Sequence, residues 1–208
     1  MRLQKGVCRK PLASDAEFWG ALMHLFVKSP KSSTYKYALL KCLVDCSRNL
    51  NGVSLSFDTI YLRFTEIYWD LIVKYRLDQL ICGEKGSLTA IEKILYDYML
   101  EYDLDETSEL SDLPDKARCI MHQEVRKRCS VYVIDAFYTS TQGLFYSFSK
   151  PEKILELSHA SKVFLQRYDD VVQSLNYWYW AKEIERINGA ATPGKLLTSM
   201  LSLGKGTH

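Results

Sequence analysis

The sequence predicts a mainly α chain: a multi-helix bundle with a small antiparallel β-meander near residues 131–157. Three observations carry this. The stretch Phe57–Tyr75 places Phe57, Ile60, Tyr61, Phe64, Ile67, Tyr68, Leu71, Ile72 and Tyr75 at three-and-four spacing, the period of one helix face. Helix-start signals recur before other periodic runs, most clearly Thr89 with Glu92 three residues later. After Cys129 the composition turns β-branched and aromatic in short runs.

Length, charge and cysteines bound the rest. The chain has 208 residues, 47% of them hydrophobic, with 14 Tyr, 8 Phe and 4 Trp, enough apolar surface for a real core and too much for a disordered chain. A net charge of +2 gives no global attraction to a polyanion, so nucleic-acid contact needs a local patch. Cysteines at 8, 42, 46, 82, 119 and 129 contain no C-x-x-C pair. With no signal peptide and no apolar run of membrane-spanning length, reduced thiols and a cytoplasmic location away from membranes are expected.

Taken in order, residues 1–13 read as a loose basic arm ending near Pro11. Ser14 or Asp15 caps a first helix whose inner face is Phe18, Trp19, Leu22, Leu25 and Phe26. Thr34 opens a second helix, with Tyr37, Leu40, Leu43, Val44 and Tyr35 inward, closed by Asn51-Gly52. Ser56 caps the central helix, in which Arg63, Glu66, Asp70 and Lys74 form a narrow polar sector and Leu62, Trp69 and Val73 widen the apolar one. Cys82–Gly86 interrupts the pattern.

Thr89 starts a fourth helix carrying Ile91, Ile94, Leu95, Tyr98 and Met99, and the acidic segment EYDLDETSELSD reads as a surface loop. Pro114 opens a fifth helix running to about Cys129. VYVIDAFY, LFYSFS and ILEL then read as strands separated by the turns TSTQG and KPEK. Ser158 caps a helix through about Val172, and a last helix from about Asn176 carries Tyr177, Trp180, Ala181, Ile184 and Ile187 before Asn188-Gly189. The organisation expected is an arm over 1–13, a single helical domain over 14–190, and a linker and tail over 191–208.

Candidate chemistry is sparse. Cys42 and Cys46 sit one turn apart but lack a second pair to complete a structural zinc set, so they read as buried thiols. His24, His122, His159 and His208 fall in no ligand motif, and His159 reads as capping or solvent-facing. The hairpin at 144–157 followed by a helix has the outline of a one-metal nuclease frame, but it carries neither a general-base histidine nor metal ligands. No catalytic residue, metal or cofactor is expected. Lys116, Arg118, Arg126, Lys127 and Arg128 form the densest basic cluster and are the candidates for phosphate contacts. Consecutive helix residues point different ways, so at most half of Tyr177–Trp180 could serve one stacking surface.

SSTYKYALLKCLVD, LSFDTIYLRFTEIYWDLIVKYRL, DAFYTSTQGLFYSFSKPEKILELS and LNYWYWAKEIERIN together resemble the amino-terminal region of prokaryotic HNH-endonuclease-domain proteins over nearly all of residues 15–190. In that family a mostly helical segment leads through a linker into paired cysteines and the His/Asn metal motif. Neither has a counterpart before His208, and Trp178-Tyr179 stands where the family more often has an acidic residue. The resemblance therefore implies a non-catalytic front half of a DNA-acting protein, separated from its nuclease by truncation, frameshift or gene splitting. Its implied partners are DNA and a separate HNH nuclease module. The competing expectation, from the balanced charge and abundant Tyr and Trp, is a protein-interaction or regulatory module without a nucleic-acid role.

Overall fold

The computed structural model describes residues 3–81 and 87–189; the expected break at Cys82–Gly86 and the linker and tail lie outside them. The chain is mainly α with a small antiparallel sheet. Contacts divide the chain into two compact units, each assembled from three chain segments.

Unit 1 comprises Met1–Pro30, Tyr35–Ile60 and Ser130–Asn176. Helix α1 (Asp15–Met23) begins at a complete capping box: Ser14 Oγ accepts the Glu17 N–H, and Glu17 returns a carboxylate oxygen to the Ser14 N–H. Its end widens into a π-helical turn at His24–Lys28, with the Ser29 N–H reaching back five residues to His24 O. Phe18 packs on Phe145 and Phe164 with ring centroids 5.0 Å apart in each case, and Trp19 meets Phe164 edge-on. Such aromatic pairs add about 0.5–1.5 kcal/mol each beyond area burial. Helix α2 (Tyr35–Arg48) is buried on nearly every side from Lys36 to Val44, not on one face as its apolar spacing predicts.

Four short strands, β1 (Lys5–Gly6), β2 (Ser54–Ser56), β3 (Tyr146–Ser149) and β4 (Ile154–Leu157), form one sheet in the order β1-β3-β4-β2, gathering distant segments around one hairpin. Strands β3 (Tyr146–Ser149) and β4 (Ile154–Leu157) form the expected hairpin, joined through Lys153 at φ +55. Its edges were not expected. Strand β2 (Ser54–Ser56) pairs with β4. The arm is no loose end: β1 (Lys5–Gly6) pairs with Phe148 and Ser149, and Tyr138 Oη donates to Val7 O at 2.6 Å. Backbone pairing holds a segment that has no hydrophobic period to announce it.

A second correction concerns residues 131–138, expected as a strand. Val133–Ser140 is helix α6, burying Val133, Ile134, Phe137 and Tyr138. That i, i+1, i+4, i+5 spacing is a helix face, and it outweighs the β-branched composition. Helices α7 (His159–Arg167) and α8 (Asp169–Asn188) also divide earlier than expected, at Tyr168 instead of near Val172. Tyr168 Oη and Arg167 both reach Asp15, and Asp169 and Asp170 suit the positive end of the new helix.

Unit 2 comprises Lys31–Thr34, Tyr61–Cys129 and Tyr177–His208. Helix α3 (Phe57–Tyr68) starts in unit 1, where Ser56 Oγ accepts the Thr59 N–H, and from Tyr61 belongs to unit 2, continuing as a π-helical stretch over Trp69–Lys74. Its expected core residues are buried except Tyr75, which is half-buried, and the polar sector is partly exposed. Leu62 departs from expectation at 46% exposure. Tyr61 and Tyr68 flank Phe64, and Tyr68 packs against Trp180. Helix α4 (Ala90–Glu101) buries the five residues its spacing predicts.

Candidate nucleic-acid interface

Helix α5 (Asp115–Cys129) carries all five candidate phosphate ligands. Its placement follows from four residues at four-residue steps, Ala117, Met121, Val125 and Cys129, which are buried while the helix packs against α4 in unit 2. Pro114 precedes the first turn, where a missing N–H costs nothing, and its carbonyl accepts the Arg118 N–H. Fixing one stripe inward distributes the remaining side chains at about 100° per residue.

Lys116, Lys127 and Arg128 are exposed, whereas Arg118 and Arg126 are half-buried. Lys116 and Lys127 are eleven residues apart, which returns them to nearly the same side of the helix about 16 Å apart along its axis. Arg128 lies about 100° further round, and Arg118 and Arg126 lie on other sectors. Arg118 is already engaged by Asp115 at 2.5 Å. The helix thus carries five cations against two carboxylates, Asp115 and Glu124. The last-turn trio Arg126, Lys127 and Arg128 also complements the negative end of the dipole.

His122 sits on the same helix, half-buried, with no hydrogen-bond partner for Nδ1. Burial pushes its pKa below the ordinary 6.5; the Glu66 carboxylate opposes that shift and Arg118 reinforces it. The imidazole is therefore neutral at pH 7 and adds no charge to the basic helix.

The tryptophan-tyrosine run on α8 separates as helix geometry requires. Trp180 is fully buried and Trp178 is 54% exposed, with Lys182 Nζ 4.3 Å from its ring centroid and Tyr179 edge-on at 4.7 Å. Cys42 is buried and Cys46 partly so. His159 is exposed in the first turn of α7, next to the Ser158 cap. Among the described residues no three His, Cys, Asp or Glu side chains gather as metal ligands, and no helix is long and apolar enough to cross a membrane.

Sequence reasoning missed two buried lysine sites in unit 1. Lys36 Nζ donates to Pro30 O at 2.6 Å and Ser140 Oγ at 2.7 Å, and His24 Nδ1 lies 2.8 Å from Ser140 O. Pro30 O is only an acceptor, so it fixes the amine as a donor; the arrangement ties α2 to α6. Lys41 pairs with Asp45 one turn later at 3.2 Å. The available signal was the position of both lysines inside an otherwise apolar helical run. No known protein family, no curated protein and no solved structure matches the chain.

Proposed function

We propose that this chain is a non-catalytic helical module of an HNH-endonuclease-like system in the prokaryotic cytoplasm, positioning the nuclease or contacting its DNA. The observation that carries the DNA reading is the exposure of Lys116, Lys127 and Arg128 on a helix with five cations and two carboxylates. Lys116 and Lys127 share a side of α5, and each can neutralise one phosphate and release its counterion. The four stretches resembling HNH-endonuclease amino-terminal regions supply the nuclease half.

Fluorescence-anisotropy titrations of duplex DNA at several salt concentrations test it. Affinity is expected to fall linearly on a log–log salt plot, with the slope shrinking by about 1 for each of Lys116→Gln, Lys127→Gln and Arg128→Gln. Absence of salt-sensitive binding at micromolar protein removes the DNA half.

A second reading, a protein-interaction module, is favoured by Trp178. A half-exposed tryptophan beneath a lysine resembles the anchors that dominate protein interfaces. Under this reading DNA does not bind, and Trp178→Ala abolishes a partner contact while the α5 variants leave it intact.

A further inference from the structure

In unit 1, helix α2 faces the first turns of α8 through polar groups. Gln173 and Asn176 are only 7% and 0% exposed. Gln173 Nε2 donates to Asp45 Oδ1 at 2.9 Å, and Asn176 Nδ2 donates to Tyr37 O at 3.0 Å. Both recipients accept only, so turning either amide over would set oxygen against oxygen. The other end of each amide is thereby fixed as a carbonyl oxygen. Neither Gln173 Oε1 nor Asn176 Oδ1 has a hydrogen-bond partner in the protein.

Residues three apart on a helix are surface neighbours, about 5–6 Å between Cβ atoms. Both side chains therefore leave the same side of α8 towards α2, and two buried acceptors on one face are best met by a group that donates twice. Charge selects its kind. Lys41 Nζ lies 3.2 Å from Asp45 Oδ2, so the carboxylate beside the site is already matched. A cation would sit next to an ammonium, and an anion would face two carbonyl oxygens; a small neutral donor meets neither penalty.

We propose that α2 and α8 enclose an ordered water molecule that donates its two protons to Gln173 Oε1 and Asn176 Oδ1. It joins the Tyr37, Asp45, Gln173 and Asn176 polar seam into one network and completes the hydrogen bonding of the two helices there.

The test uses the full chain and two measurements. A crystal structure at a resolution that orders waters is expected to show one solvent peak within hydrogen-bond distance of both oxygens. Rotating-frame NMR is expected to show cross-peaks between long-lived water and the side-chain amides of Gln173 and Asn176. In Gln173→Met, the Asn176 cross-peak should disappear, because the bridge has lost one end; if that variant does not fold, the wild-type measurements decide. A metal or organic group at the peak, or wild-type protein with neither the solvent peak nor the cross-peaks, overturns the proposal.

Discussion

Glu92 Oε1 accepts the backbone N–H of Gln79 at 2.8 Å, from a carboxylate that is wholly buried. Its other oxygen takes the Thr89 N–H and hydroxyl at 2.5 Å each. One side chain therefore caps α4 and fastens the loop in which Gln79 Oε1 accepts from Thr34 Oγ1, itself 2.8 Å from Tyr68 Oη. Removing it strands the buried Gln79 N–H and takes away the carboxylate half of the capping box, leaving Thr89 Oγ1 to accept the N–H of residue 92. Glu92→Ala is expected to cost about 1–3 kcal/mol, read as a lower midpoint in urea unfolding. Glu92→Gln, which keeps one acceptor oxygen, should lose less; equal losses would show that charge and not acceptor geometry matters.

The docked arm depends on two glycines. A Cβ at Gly6 would lie 2.5 Å from Phe148 Cε1, and one at Gly143 would lie 2.7 Å from the Tyr138 ring, at a backbone φ of +67 that already disfavours side chains. Phe148 and Tyr138 are buried and pack on each other, so neither ring has room to yield. Gly143→Ala should destabilise by about 1–3 kcal/mol. Gly6→Ala should instead release the arm, seen as faster amide exchange at Lys150, whose N–H donates to Gln4 O. Unchanged exchange would mean that the strand survives the added methyl.

What the sequence disclosed was what short-range chemistry determines. The capping box Thr89–Glu92 and the cap at Ser14 rest on residues close in sequence, and the helices following them start where expected. The turn at Asn188-Gly189 is equally local, and Gly189 adopts φ +74. Strands β1 and β2 are two and three residues long and exist only because the hairpin offers them edges, so no window of their own sequence could reveal them. The Gln173–Asp45 contact spans 128 positions. The basic helix was legible as a run, whereas the exposure of Lys116, Lys127 and Arg128 against the half-burial of Arg118 and Arg126 required the stripe packed on α4.

Glu17 supplies an acid-side prediction. The hydrogen bond from Lys10 and those from the Ser14 backbone and hydroxyl hold its pKa down to about 2 from the ordinary 4.5. Because the folded value is depressed, the carboxylate's contribution to stability is complete above 4.5 and is lost as pH falls through about 2. Carboxyl-carbon NMR titration should place the Glu17 midpoint well below that of a free glutamate, and Lys10→Met should move it upward. A midpoint unmoved by Lys10→Met would show that the backbone and hydroxyl of Ser14 do the work alone.

His122 predicts a dependence at milder pH. Desolvation lowers its folded pKa below 6.5, against the Glu66 carboxylate and with the help of Arg118. The unfolded chain therefore binds a proton that the folded chain refuses in the window between the folded value and 6.5. Since stability rises with pH wherever the unfolded state holds more protons, this group makes the fold less stable as pH drops from about 6.5 towards the folded pKa, and adds no further slope below it. His122→Asn cannot titrate there. Melting temperatures of the two proteins should run parallel above pH 7, and the wild type should fall more steeply between pH 6.5 and 5. Glu66→Gln removes the opposing carboxylate, lowers the folded pKa further and widens the window. Wild-type and His122→Asn curves that stay parallel down to pH 5 would mean that the imidazole protonates in place, by turning Nδ1 to solvent or towards Glu66.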